Sequence, residues 1–415
     1  MSPDTCELAG TAHYTYELVR HLLDIDKNNT YVLFLDGRVK TVGYDGRTVQ
    51  EVFGRENVEI VFLSVSRIPF LTTHWFLARA LRHAKLDLFH SPAHPLPLGY
   101  RGKNVWTVHD LAIYDHPEWF PSGLRQWFST RFTVPRSIRR ATKLIAVSQN
   151  TKRDIMRIFN VSEEKVMVIY EGKPDVILSE WNESKDPQGH EIPRQARDDA
   201  SRQITTVFSD LPPKADRRND SKEPYFLFVG TIEPRKNLVR LIDAFIQFRS
   251  TFHDPRFTLI LAGGTGWNND EIFMAIERAN LKLGKGSVQY LGYVSEEEKI
   301  ALLQNATAFV WPSLYEGFGL PVLEAMAMGT PVITSNTSSI PEITGDAEVF
   351  VNPESVAEIS SAMERVTSDQ QLCEQLKTRG MNRAKEFMWE KAARETLAVY
   401  HDVMSRQTAE SSTRK

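Results

Sequence analysis

The most constraining feature of this chain is an alternation that occurs twice: short runs rich in Val, Ile, Leu and Phe, each followed by a longer stretch with one apolar face. Short, wholly apolar runs suit strands buried on both faces of a parallel sheet, and the longer stretches suit the helices that cover it. The first series predicts strands over Tyr31–Leu35, Val58–Leu63, Leu86–His90, Asn104–Val108, Lys143–Val147 and Val166–Tyr170. Helices are expected over His13–Leu23, Leu71–His83, Gly123–Arg140 and Asn150–Phe159. The second series predicts strands over Tyr225–Gly230, Phe257–Ala262, Val288–Gly292, Ala308–Trp311, Pro331–Thr334 and Glu348–Val351. Within Asn237–Ser250, the apolar residues Leu238, Leu241, Ile242, Phe245 and Phe248 form one helical stripe. The chain therefore reads as two doubly wound α/β domains in tandem, whose ligands bind beyond the carboxyl ends of the strands.

The length of 415 residues fits two such domains. With 41% hydrophobic and 25% charged residues it has the composition of an ordinary globular protein, and its formal charge of −3 argues against a partner attracted by bulk positive charge, such as nucleic acid. Cys6 and Cys373 are the only cysteines, too far apart for a zinc-cysteine spacing or a disulfide framework, which fits a reducing cytoplasm. No apolar run approaches the ~20 residues of a membrane span, and MSPDTCELAG lacks the pattern of a signal peptide. Residues 182–222 hold 16 charged residues in 41 and four prolines, so a disordered insertion is expected over 174–222.

Two loops carry the chemistry. In WPSLYEGFGLPVLEAMAMGTPVITS, residues 311–335, a strand ends at Trp311, and a Gly-rich loop, Glu316-Gly317-Phe318-Gly319, precedes a helical pattern that starts at Leu320. The glycines allow close backbone approach to a ligand, and free N–H groups at a helix start favour phosphate. Glu316 suits neutral hydroxyls better than phosphate, and Glu324, eight residues further on or about two helical turns, is placed to face the same cleft. The bland alternative is a turn with a capping and a solvated glutamate. In FVGTIEPRKNL, residues 228–238, Arg235 and Lys236 precede a helix start, so two cations and a helix end can converge on one anion. A diphosphate is the natural partner, and a solvated basic turn with Glu233 paired to one cation is the alternative. In VWTVHDLA, His109 and Asp110 follow a strand, a pairing that is otherwise more often structural. His90 in DLFHSP has a similar place and ranks lower as an acceptor-side residue. Ser148 precedes a helix, where N-capping is the favoured reading and cleft contact the sharper one.

Glu233-Pro234-Arg235-Lys236-Asn237, followed by Glu316-Gly317-Phe318-Gly319-Leu320-Pro321 and Glu324, resembles glycosyltransferase family 4, and the resemblance covers nearly the whole chain outside the insertion. It implies the GT-B fold, two Rossmann-like doubly wound domains facing across a cleft, and a retaining hexosyltransferase. The donor implied is a nucleotide-sugar, GDP-mannose or a UDP-sugar, with the PRKN form of the loop leaning weakly to mannose. The acceptor implied is a glycan or a lipid-linked acceptor, without cofactor or metal. By the same resemblance Arg235 and Lys236 neutralise the diphosphate, Glu324 binds the ribose, and Glu316 binds the donor sugar. Gly317, Phe318, Gly319 and Leu320 surround the phosphate and sugar, Tyr293 and Val294 border the base, and His109 acts near the reacting centre. Gly263 and Gly264 form a close turn near the nucleotide or, equally, a plain strand-end turn. Asp110, His90, Ser148 and Gly10 are placed on the acceptor side or in the cleft. The expected organisation is an N-terminal acceptor domain over 1–173, a C-terminal donor domain over 223–385, a helix over 386–407 returning to the first domain, and a disordered tail over 408–415.

The sequence departs from the family at its start. Ala9-Gly10-Thr11-Ala12-His13 retains only the end of the usual Gly-rich loop, and the first strand is expected to be missing, which would leave unpaired sheet edges. A degenerate, inactive sugar-nucleotide-binding protein is therefore the alternative to the enzyme. Gly123–Lys143 mixes Arg125, Arg131, Arg136, Arg139 and Arg140 with Trp127, Phe128 and Phe132. A peripheral contact with the inner face of a membrane and a solvated helix face are both open readings of it.

Overall fold

The computed structural model describes residues 10–39, 41–42, 47–64, 72–173 and 223–412. The expected insertion over 174–222 and the segment ahead of Gly10 lie outside the described residues. Every predicted strand is present, several with trimmed ends. In the N-terminal half these are β1 (Tyr31–Asp36), β2 (Val58–Leu63), β3 (Phe89–Ser91), β4 (Asn104–Val108), β5 (Lys143–Ala146) and β6 (Val166–Val168). In the C-terminal half they are β7 (Tyr225–Val229), β8 (Thr258–Ala262), β9 (Val288–Gly292), β10 (Ala308–Trp311), β11 (Val332–Ser335) and β12 (Val349–Val351). All pairings between these strands are parallel.

The C-terminal sheet has the order β12-β11-β10-β7-β8-β9. From β7 the chain winds outward to β9 and then returns to the other side of β7 as β10, so the strand order reverses between β7 and β10. In an open parallel sheet that reversal splays the two following loops apart and leaves a crevice at the carboxyl ends. The crevice has a rigid floor: all five residues of β7 are buried, and the Phe228 and Trp311 rings stack at 4.7 Å.

The N-terminal strands fall into two sheets, β1-β2 and β3-β4-β5-β6. Among the described residues β1 pairs only with β2 and β3 only with β4. Helix Thr11–Ile25 lies across both pieces. Its Tyr14, Leu18 and Leu22 join the core that contains Val105 and Ile145, while Tyr16 and Leu23 pack with Val49, Val52 and Phe53.

The helix expected over Gly123–Arg140 runs on across Pro135. Leu124–Phe128 passes through a wider π turn, Ser129–Thr133, into Val134–Arg140, where the proline sits in the first turn and its missing N–H costs least. The last helix, Trp389–Ser412, packs on Thr11–Ile25 and continues past residue 407, where the sequence reading ends it. Its Trp389 is fully buried, 5.7 Å from the Tyr14 ring, and its Asp402 pairs with Lys143 of β5 at 3.1 Å.

Candidate functional site

The two loops picked from the sequence follow β7 and β10, the strands that flank the reversal. After β7 the chain makes a single turn of 3-10 helix, Pro234–Lys236, and Asn237 adopts a left-handed conformation (φ 62°) before helix Leu238–Phe252. The Asn237 amide holds that geometry by donating to the carbonyls of Pro312 (3.0 Å) and Pro353 (2.6 Å). After β10 the loop ends at Gly319 (φ 115°), a conformation that disfavours any side chain, and helix Leu320–Ala327 begins.

These turns bring Arg235, Lys236 and Glu316 into one buried cluster. Lys236 Nζ donates to Glu316 Oε1 at 2.7 Å and lies 4.6 Å from the centre of the Trp311 ring. Arg235 donates to Glu316 Oε2 (3.1 Å), to the Tyr315 carbonyl (3.1 Å) and to Glu233 Oε1 (2.8 Å). Burial pushes the Glu316 carboxyl up, but Lys236 and Arg235 outweigh it and hold the group below its ordinary value, so it is ionised. Burial opposes the charge on Arg235, and Glu316, Asp110 and Glu233 together raise its pKa. The solvated basic turn is excluded: both cations are tucked under the Gly-rich loop.

Glu324 is also buried, but its partner is different. It accepts from Lys299 Nζ at 2.9 Å, and Lys299 in turn pairs with Glu296 at 3.0 Å. Lys299 was missed by the sequence reading; its position on helix Glu296–Asn305 carries no loop or glycine signal. Tyr293, 59% exposed, and Val294 follow β9 at the same end of the sheet. At Gly263 (φ 133°) a Cβ would collide with the Gly230 carbonyl, and Tyr290 donates to its carbonyl at 3.0 Å, so this glycine serves a close crossing of two strand-end turns.

The N-terminal half meets this site through the main chain. A Cβ on Gly317 would collide with the His109 carbonyl and crowd Asp110, and Thr151 donates from one hydroxyl to the carbonyls of His109 (3.1 Å) and Gly317 (3.3 Å). The His109 ring is engaged: Nε2 lies 2.8 Å from the Pro92 carbonyl, which can only accept, and Nδ1 lies 3.4 Å from Glu171 Oε1. Gly10 (φ 55°) starts helix Thr11–Ile25, with open space where its Cβ would stand. The buried His13 of that helix senses the Glu324 charge.

The His90 ring is occupied by structural partners: Nδ1 pairs with the Tyr400 hydroxyl (2.6 Å) and Nε2 with Thr107 Oγ1 (2.9 Å), tying β3 to β4 and the last helix. Ser148 is fully buried and accepts from the Thr151 N–H at 3.0 Å, the favoured N-cap and not a cleft contact. A second residue missed from the sequence, Glu342, joins the halves by accepting from the N–H groups of Gln149 (2.8 Å) and Asn150 (2.9 Å).

Known proteins share both halves. Residues 213–383 match the family described as Glycosyl transferases group 1, and residues 8–173 match Glycosyltransferase Family 4. The chain is 32% identical over 323 residues to the O-antigen chain mannosyltransferase B of Escherichia coli, covering 78% of this chain and 76% of that one. It is 28% identical over 298 residues to the O-antigen chain mannosyltransferase RfbU of Salmonella typhimurium, covering 72% and 70%. Its fold is similar to the crystal structure of a glycosyltransferase from Rickettsia africae, with a TM-score of 0.66, 16% identity and 96% of each chain covered.

Proposed function

The chain belongs to glycosyltransferase family 4, with the GT-B fold, and from that premise we propose that it is a retaining mannosyltransferase. The proposed donor is a nucleotide-sugar, GDP-mannose before a UDP-sugar, and the acceptor a hydroxyl of a glycan or lipid-linked acceptor in O-antigen-type polysaccharide synthesis. The observation that carries the reading is the convergence of Arg235, Lys236 and Glu316 beneath the Gly-rich loop. The mannose assignment is supported by the names of the two similar mannosyltransferases.

In the proposed reaction Arg235 and Lys236 bind the donor diphosphate and stabilise the charge that grows on it as the bond from the sugar's anomeric carbon to phosphate oxygen breaks. The acceptor oxygen forms its bond on the same face, and its proton passes to the departing phosphate oxygen. Diphosphate binding relieves Glu316 of its cations and frees its carboxylate for donor sugar hydroxyls, while Glu324, steered by Lys299, binds the ribose. The backbone N–H groups at Gly317–Leu320, the start of a helix, add fixed positive dipole toward the phosphate. No cofactor or metal is invoked, because these groups supply the neutralisation. Among the described residues no helix is long and apolar enough to cross a membrane. Leu124 (85% exposed), Trp127 (54%) and Phe132 (49%) beside Arg125 and Arg131 support peripheral contact with the cytoplasmic membrane face.

Among the described residues the N-terminal strands form two separate sheets, and the second reading that goes with this is a protein that binds the donor and does not turn it over. Thermal-shift and calorimetric titration with GDP-, UDP- and ADP-sugars, on the wild type, Arg235→Ala and Glu324→Ala, tests the donor site. A donor at 100-fold its dissociation constant raises stability by about 2.7 kcal/mol, and both variants are expected to lose that gain. A folded wild type that none of the donors stabilises overturns the site. Donor binding without a glycosylated product selects the second reading, and the anomeric configuration of a product decides retention.

A further inference from the structure

Tyr315, in the loop after β10, has its two polar ends on different halves of the molecule. Its main-chain carbonyl, next to Glu316, accepts from the Arg235 guanidinium at 3.1 Å, and the Leu314 N–H donates to the Arg235 carbonyl at 3.0 Å, so this loop and Arg235 form one unit. The Tyr315 hydroxyl crosses to the N-terminal half, where it donates to Asp154 Oδ2 at 2.6 Å and accepts from the Asn150 amide at 3.2 Å. Burial, and then the Asp154 carboxylate, raise the Tyr315 pKa well above its ordinary value, which keeps the hydroxyl a donor. Asp154 is 9% exposed on helix Gln149–Phe159, and its other oxygen accepts from Arg157 at 2.8 Å. Arg157 also donates to Asp115 at 3.0 Å, at the end of the short helix Ala112–Asp115 that follows His109 and Asp110. A continuous polar network therefore runs from Arg235 to the turn after β4, whose His109 carbonyl lies against Gly317. A hydrogen bond to an ionised acceptor is short, directional and stronger than a neutral one, so it holds the Tyr315 ring, and with it the peptide that Arg235 grips, in one orientation. Separating the halves must break this bond, because its partners lie on opposite sides of the cleft.

We propose that Tyr315 is a positioning residue for transfer: bonded to Asp154 when the halves are together, it fixes the loop carbonyl that orients the Arg235 guanidinium, so the cation reaches its working geometry only with the acceptor half in place. The proposal rests on the transfer reading above and adds to it a coupling of the donor loop to the acceptor half.

The test uses the full chain in three measurements: nucleoside diphosphate release from GDP-mannose and from UDP-glucose with octyl α-mannoside as acceptor, calorimetric titration of the same donors, and small-angle scattering. Tyr315→Phe removes only the hydroxyl. Its kcat is expected to fall about tenfold, while the donor KM and calorimetric dissociation constant stay within about twofold. Its radius of gyration is expected to be unchanged, because Glu342 and the last helix still hold the halves, so a loss of rate cannot be put down to their separation. Asp154→Ala is expected to match it. Asp154→Asn keeps an acceptor oxygen for the hydroxyl and is expected to recover kcat to within about threefold of the wild type, and the double variant Tyr315→Phe/Asp154→Ala to fall no further than either single one. Circular dichroism melts establish that each variant folds. A Tyr315→Phe enzyme with wild-type kcat, or losses that multiply in the double variant, overturns the proposal and leaves the transfer reading standing. A wild type that releases nucleoside diphosphate from neither donor overturns the transfer reading and the proposal with it.

Discussion

His13 is 5% exposed, and burial drives its pKa down to about 4 from 6.5, against the pull of Glu324. The unfolded chain therefore binds this proton first, so stability is whole above about pH 6.5 and is lost as pH falls toward 4, by about 3 kcal/mol over that interval. His90, lowered by burial to about 3, acts in the same direction and continues the loss further. Glu316, whose carboxyl is depressed, contributes its part only below the ordinary carboxylate value, whereas Glu348, pushed up by burial to about 7, works against the histidines and favours the folded state as pH falls from 7 to 4.5. Urea midpoints of wild type and His13→Gln at pH 7 and pH 5 are expected to diverge, with the variant losing less on acidification; parallel losses would show that the burial of His13 is not the cause. At this scale the placement of Arg235, Lys236 and Glu316 was legible because each follows a strand near glycine or a helix start, and that of Glu324 because it lies on the helix that the Gly-rich loop opens. Lys299 was not, because its only mark is spatial: it stands between Glu296 and Glu324, which are distant in sequence.

Helix Gln149–Phe159 shows how an element joins the two halves. Its own Ser148 satisfies one N-terminal N–H, and Glu342 from the other half accepts from two more while receiving the Tyr170 hydroxyl at 3.2 Å. A carboxylate at a helix N-terminus gains from both the unmet donors and the dipole. Glu342→Gln removes the charge and one acceptor oxygen, which costs the interface about 1–2 kcal/mol. The expected outcome is a larger radius of gyration in small-angle scattering and a lower transfer rate, with donor affinity retained; unchanged scattering and rate would show that the contact does not hold the halves together. The cap at Ser148 was readable from the sequence, since capping is local. The second cap was not, because Ser-Ser-Ile-Pro-Glu-Ile reads only as the start of its own short helix.

Across the whole molecule, Trp389 is the hinge point of packing: it is fully buried, touches the rings of Tyr14 and His13, and stands where any side chain on Gly172 would collide with it. Trp389→Ala is expected to cost about 3–5 kcal/mol and to lower the melting of both halves together in scanning calorimetry. A drop confined to one transition would show that the last helix serves one half alone. The alternation of apolar runs and amphipathic stretches fixed two parallel-sheet halves and put the chemistry at strand ends, since backbone hydrogen bonding and one-sided burial depend on local pattern. The same local information placed Arg235 and Lys236 after β7 and Glu316 after β10. Strand order, which only packing sets, made those loops neighbours and handed Glu316 its cations. It also turned His90 toward Tyr400, an outcome that depends on a partner hundreds of residues away, whereas the unpaired edges that the N-terminal strands leave among the described residues were foreseen from the start of the sequence.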